Sequence, residues 1–130
     1  MEKIIGIGID LIERERVAKS CKSDSFLLKC FSERERKEIA ARPERAATDF
    51  AGKEAVAKAL GTGFSGISPV EIEILRKDSG APQVFLLGSA KEQADGLGVT
   101  AIHISLTDSK ELAGAYVICV GDAAGSGMED

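Results

Sequence analysis

Residues 3–10 read Lys-Ile-Ile-Gly-Ile-Gly-Ile-Asp. Ile5, Ile7 and Ile9 alternate with Gly6, Gly8 and Asp10, the period of a β-strand. One face of that strand is apolar and the other is almost bare. A bare face lets a second element, or a ligand, come against the backbone itself. Asp10 stands at the end of the strand, beside that open space.

The second strong constraint is Asp49-Phe50-Ala51-Gly52-Lys53-Glu54-Ala55-Val56-Ala57-Lys58-Ala59-Leu60-Gly61-Thr62-Gly63. Its front half is an Ala-rich helix, expected over about 44–60 with Pro43 at its first turn. Glu54 and Lys58 are four residues apart and share one face. The helix should stop at Gly61, and Gly61-Thr62-Gly63 should offer accessible backbone N–H groups. A carboxylate, an ammonium and free amides together suit a metal-bound phosphate. Gly61 to Gly66 also matches Gly-x-Gly-x-x-Gly. That fingerprint follows a strand and opens a helix, whereas this one follows a helix, so the dinucleotide-binding reading is rejected.

The remaining elements follow from period and punctuation. Residues 11–19 read as a helix charged on one side. Ser32-Glu33-Arg34-Glu35 is a capping box that opens a helix to about Ala41. Residues 70–77 and 83–87 read as paired strands about the turn Asp78–Pro82. A short helix spans 89–97 and ends near Gly96 or Gly98. Strands at 100–106 and 112–120 flank the turn Thr107–Glu111. Gly121–Asp130 is Gly- and acid-rich and is expected to be a disordered tail. The sum is a small α+β domain over residues 1–120, an antiparallel-leaning sheet packed against one long helix.

Composition excludes several classes. The net charge of −4, with one Tyr and no Trp among 130 residues, speaks against a nucleic-acid-binding surface. The apolar runs are too short to span a bilayer, and the N-terminus lacks the marks of a signal peptide. Cys21, Cys30 and Cys119 fit no metal-ligand spacing, and reduced thiols in a cytoplasmic protein are the plain reading.

Three sets of residues carry possible chemistry. Asp10 and Glu54 would face each other between the strand end and the helix that packs on it. They would repel unless a cation lay between them, and a divalent ion resolves this. The plainer alternative is two solvated acids, with Glu54 merely pairing Lys58. Ser105, Thr107 and Ser109 alternate onto one side with His103 and could donate to phosphate or ribose oxygens, although a solvated edge strand is the commoner case. Arg14, Arg16, Lys19 and Lys22 form a basic set, diluted by Glu13 and Glu15, that could dock an acidic partner.

In this order and spacing the chain resembles the holo-acyl-carrier-protein synthases, the small bacterial 4′-phosphopantetheinyl transferases. Gly6–Ile12 is similar to that family's Gly-x-Asp entry, Phe50–Gly63 to its second signature and Ser105–Val117 to its third. Gly80-Ala81-Pro82 stands where the family often has Gly-Lys-Pro. The resemblance implies the phosphopantetheinyl transferase fold. It implies transfer of the phosphopantetheine arm of coenzyme A to a serine of apo-acyl carrier protein, with release of adenosine 3′,5′-bisphosphate. It further implies magnesium held by Asp10 and Glu54, and Lys58 at the phosphates. Gly61, Thr62 and Gly63 would lie near the nucleotide, with Ser105, Asp108 and Ser109 on the coenzyme side. Arg14 and Arg16 would dock the carrier protein. The family's homotrimer, with active sites between subunits, is implied too.

Two positions depart from the family pattern. Asp108 stands where many members have His, and Asp49 where an Arg is common. Both remove positive charge that could face a polyanionic substrate. The alternative to an active transferase is therefore an impaired homologue that only binds coenzyme A or the carrier.

Overall fold

The computed structural model describes residues 2–122. Strand β1 (Lys3–Glu13) is followed by helices α1 (Arg14–Ser20), α2 (Asp24–Cys30), α3 (Glu33–Ala41) and α4 (Arg45–Ala59). A 3₁₀ turn at Pro69–Glu71 leads into β2 (Ile72–Arg76), then β3 (Pro82–Leu86), α5 (Gly88–Leu97), β4 (Val99–Asp108) and β5 (Leu112–Gly121). All strand pairs are antiparallel. They form two sheets rather than one: β1-β5-β4, and β2-β3.

Three boundaries differ from expectation. Leu11, Ile12 and Glu13 continue β1 instead of opening a helix, because they pair with Gly114, Ala113 and Leu112 of β5. Such a pairing is non-local and leaves no mark in the local charge pattern. The strand expected from residue 70 begins at Ile72, after the capping box of Ser68 and Glu71 has tightened the chain into one 3₁₀ turn. Gly121, assigned to the tail, closes β5 opposite Lys3 and Val99, while 123–130 lie outside the described residues.

The bare face of β1 is the buried one. A Cβ at Gly6 would lie 1.9 Å from the Ala59 carbonyl oxygen, and one at Gly8 would lie 1.9 Å from that of Ala55. Helix α4 thus rests directly on the strand backbone, with Ala51, Ala55 and Ala59 buried beneath it. Its other side meets β2, where a Cβ on Gly52 would come within 2.5 Å of Ile74 Cδ1. Small residues throughout α4 allow both approaches, which is why the helix is Ala-rich and weakly amphipathic.

A polar hub ties α3, α4 and β2 together. Ser32 and Glu35 form the expected capping box. Glu35 is fully buried, however, and also accepts hydrogen bonds from Lys53 Nζ at 2.7 Å and from the Ile74 amide at 2.8 Å. Lys53, equally buried, donates as well to the Pro69 and Ile72 carbonyls. Burial pushes the Glu35 carboxyl up and the Lys53 ammonium down, each opposed by its partner.

Candidate active site

Because α4 lies on the glycine face of β1, the inward Asp10 meets the helix face that carries Glu54 and Lys58. Lys58 Nζ donates to Asp10 Oδ1 at 2.9 Å and to the Ile9 carbonyl at 3.1 Å. Asp10 is only 9% exposed, and its second oxygen, Oδ2, is buried with no hydrogen-bond partner. Glu54 is half-buried one turn earlier on α4. Burial pushes its carboxyl up and the Asp10 charge adds to this, while Lys58 and Arg16 pull it down. The alternative in which Glu54 simply pairs Lys58 does not hold, since the lysine turns to Asp10.

These two acids fit a hard divalent cation. An orphaned buried carboxylate oxygen beside a second, mutually repelled carboxylate is a donor set that a positive ion would satisfy. Among the described residues no group of three or more His, Cys, Asp or Glu is gathered for a metal. Two protein carboxylates, with the remaining positions left to water and phosphate, is the pattern magnesium accepts.

Beside Glu54 opens a cleft of about 190 Å³, lined by Ile12, Arg16, Val17, Phe26 and Phe50 among others. Arg16 has its place on that rim, within the electrostatic reach of Glu54. Arg14 is differently employed. Its guanidinium donates to the Ser109 carbonyl at 2.8 Å and the Lys110 carbonyl at 3.3 Å, clamping the β4–β5 turn to the start of α1.

The loop after α4 departs from its expected chemistry. Gly61 has φ +88° and ends the helix. The Gly61 amide donates to the Lys58 carbonyl at 2.9 Å. Those of Thr62 and Gly63 donate to Ala57 at 3.4 and 3.0 Å. The supposed free donors are therefore consumed by helix carbonyls left unpaired at the end of α4. A C-terminal helix end also presents the negative pole of its dipole to an approaching phosphate. The Thr62 hydroxyl donates to the Gly63 carbonyl at 2.8 Å.

Ser105 of β4 lies on the other face of the sheet. Asp10 pairs with Ala115, which in turn pairs with Leu106, and this row faces α4; Ser105 pairs with Tyr116, which in turn pairs with Ile9, and that row lies on the opposite, exposed side. Ser105 and Asp10 thus occupy opposite faces of one sheet. Asp108 is exposed at the end of β4. The Ser109 hydroxyl accepts the Leu112 amide at 3.1 Å and shapes the turn.

Asp49, five residues before Glu54 on α4, is engaged elsewhere. It is fully buried, and Arg76 Nη2 donates to it at 2.8 Å. Its carboxylate faces Arg76 of β2. Lys53 and Glu35 escaped the sequence reading as a hub. Lys53 sits amid small apolar neighbours in α4, the one available signal that its ammonium must find a buried partner.

The 4′-phosphopantetheinyl transferase superfamily model matches residues 6–119. The chain is 49% identical over 115 residues to a holo-[acyl-carrier-protein] synthase of Lachnoclostridium phytofermentans, spanning 88% of this chain and 94% of the relative. Its structure is similar to that of Plasmodium yoelii acyl carrier protein synthase with ADP bound. The TM-score is 0.84 and the identity 31%, with 94% of this chain and 98% of that one covered. A Bacillus anthracis holo-(acyl-carrier-protein) synthase in complex with CoA (3′,5′-ADP) gives a TM-score of 0.75 at 33% identity, covering 92% and 98%. The chain belongs to the 4′-phosphopantetheinyl transferase superfamily and, within it, to the holo-[acyl-carrier-protein] synthases.

Proposed function

We propose that this chain transfers the phosphopantetheine arm of coenzyme A to a serine of apo-acyl carrier protein at a magnesium site held by Asp10 and Glu54. The buried, unpartnered Oδ2 of Asp10 beside Glu54 is the observation that carries this reading. In the reaction the serine oxygen bonds to the phosphorus bearing pantetheine. The diphosphate P–O bond breaks, adenosine 3′,5′-bisphosphate leaves, and the serine proton passes to a base. Bound magnesium would supply positive charge where negative charge grows on the phosphates. Glu54, on the cleft wall, and the adjoining Asp10 would hold that ion, and Lys58 would add its own charge. Arg16, together with Lys19 on the same helix, docks the acidic carrier, since the Arg14 guanidinium is spent on the β4–β5 turn.

We further propose a homotrimer as the working form, made in the cytoplasm and serving fatty acid synthesis. The outer face of β1-β5-β4 supports the assembly: Ile7, Ile9 and Leu11 are 57%, 67% and 66% exposed, and Tyr116 is 46% exposed. A contiguous apolar face of that kind calls for a protein partner. Ser105 lies on it, so it can serve the coenzyme only across a subunit boundary.

The test is mass spectrometry of apo-acyl carrier protein incubated with this protein and coenzyme A, with and without magnesium, beside Glu54→Gln. A phosphopantetheine adduct that needs both the metal and Glu54 is the expected result. An adduct that forms equally with Glu54→Gln would remove the proposed metal site.

A further inference from the structure

Lys58 is the residue whose position departs most from a simple phosphate ligand. Its ammonium turns back onto Asp10 Oδ1 and the Ile9 carbonyl instead of standing free before the coenzyme. The contact is one-sided: Asp10 is buried, while the Lys58 side chain is half exposed and sits on the last turn of α4, next to the Gly61 loop. Asp10 therefore holds one cation on Oδ1 while Oδ2 remains buried and unpartnered.

We propose that Lys58 is a resident counter-ion of Asp10, released to the coenzyme diphosphate when a divalent cation takes the carboxylate. The inference rests on the reading that Asp10 and Glu54 hold the metal. It adds that Lys58 has two partners in sequence. Before loading, its ammonium neutralises a carboxylate that burial would otherwise strand. After loading, two positive centres on one carboxylate repel, and the exposed lysine is the one free to move. A diphosphate is the anion that would receive it. The amides of Gly61, Thr62 and Gly63 are already bonded to helix carbonyls, which leaves the lysine as the cationic donor at this end of α4. Metal and coenzyme then bind with positive coupling, because each favours the same swing of one side chain. Linkage makes that coupling reciprocal.

The experiment is a Mn²⁺ titration followed by electron paramagnetic resonance, with and without coenzyme A, on the full chain. Wild type, Lys58→Gln, Lys58→Arg and Asp10→Asn are compared. Without coenzyme, Lys58→Gln should bind Mn²⁺ roughly fivefold tighter or more, because the competing unit charge is gone. Lys58→Arg, which keeps that charge, should stay near wild type. With coenzyme, the added tightening seen in wild type should shrink by a similar factor in Lys58→Gln. Equal or weaker Mn²⁺ binding by Lys58→Gln without coenzyme would overturn the proposal and make the ammonium a fixed support for Asp10. Undiminished Mn²⁺ binding by Asp10→Asn would instead remove the metal site on which the proposal rests. Lys58 is half exposed, so its variants should fold, and circular dichroism checks this directly.

Discussion

Replacing Gly8 with Ala tests the contact that positions the site. The new Cβ would meet the Ala55 carbonyl oxygen at 1.9 Å, its carbon at 2.9 Å and the Ala59 nitrogen at 3.0 Å. All three are backbone atoms, so no side chain can rotate away. A comfortable separation is roughly 3.5 Å, which asks α4 to retreat by about 1.6 Å from β1. A gap of even ~1 Å forfeits up to about half of each dispersion contact along the interface. Overpacking alone costs about 1–3 kcal/mol, and the lost contacts of Ala51, Ala55 and Ala59 add to that. The expected loss is at least ~3 kcal/mol, a factor of roughly 150 in the folded-to-unfolded ratio. Urea unfolding should show the midpoint falling by about 1–3 M with an unchanged slope. The folded remainder should bind Mn²⁺ more weakly, because Asp10 and Glu54 ride on the two elements that are pushed apart. Gly96→Ala is the matching control. It lies within α5 with nothing inside 4 Å of its Cβ, and should gain about 0.5–1 kcal/mol. If Gly8→Ala unfolded within ~1 kcal/mol of wild type, direct seating of the helix on the strand would be refuted.

Three further outcomes follow from the packing. Lys53→Met should cost about 3–5 kcal/mol in urea unfolding by leaving Glu35 charged and buried, and adding Glu35→Gln should recover part of it; a single-variant loss under ~1 kcal/mol would contradict the hub. Burial pushes the Asp49 carboxyl up to about 6 despite Arg76. The folded state then holds its proton over a window where the unfolded chain does not, so this group's contribution to stability falls as pH rises from about 4 to about 6. Measured against Asp49→Asn, wild type should gain up to about 3 kcal/mol on acidification across that window, and a gap that ignores pH would count against the assignment. Ile9→Asp, on the exposed sheet face, should turn the proposed trimer into monomers by sedimentation equilibrium and abolish transfer; an intact trimer would place the interface elsewhere.

Local signals in the chain translated well into local structure. The Ser32–Glu35 box, the stop of α5 at Gly98 with φ +84°, and the β4–β5 hairpin all follow from short-range rules. Alternation in β1 was equally legible, but which face it buries was not. Period 2 distinguishes two faces without saying which one meets a helix, and here the side without side chains won. Leu11–Glu13 misled because strand pairing with residues a hundred positions away outweighed a charged local run. Gly61–Gly63 misled differently: the motif was visible, yet its amides satisfy the helix that precedes them. Asp10, Glu54 and Lys58 were legible as a group, while the turn of Lys58 onto Asp10 depended on a burial that no spacing encodes.

Glu35 has a consequence for how the molecule opens. One carboxylate joins the first turn of α3, the ammonium of α4 and an amide of β2. None of these elements can detach alone without stranding charge in the interior, so fraying of α3 or release of the β2-β3 ribbon is coupled to loosening of α4. The scaffold beneath the acids therefore behaves as one cooperative unit, and slow amide exchange at Ile74 would report on the rigidity of the floor on which Glu54 stands.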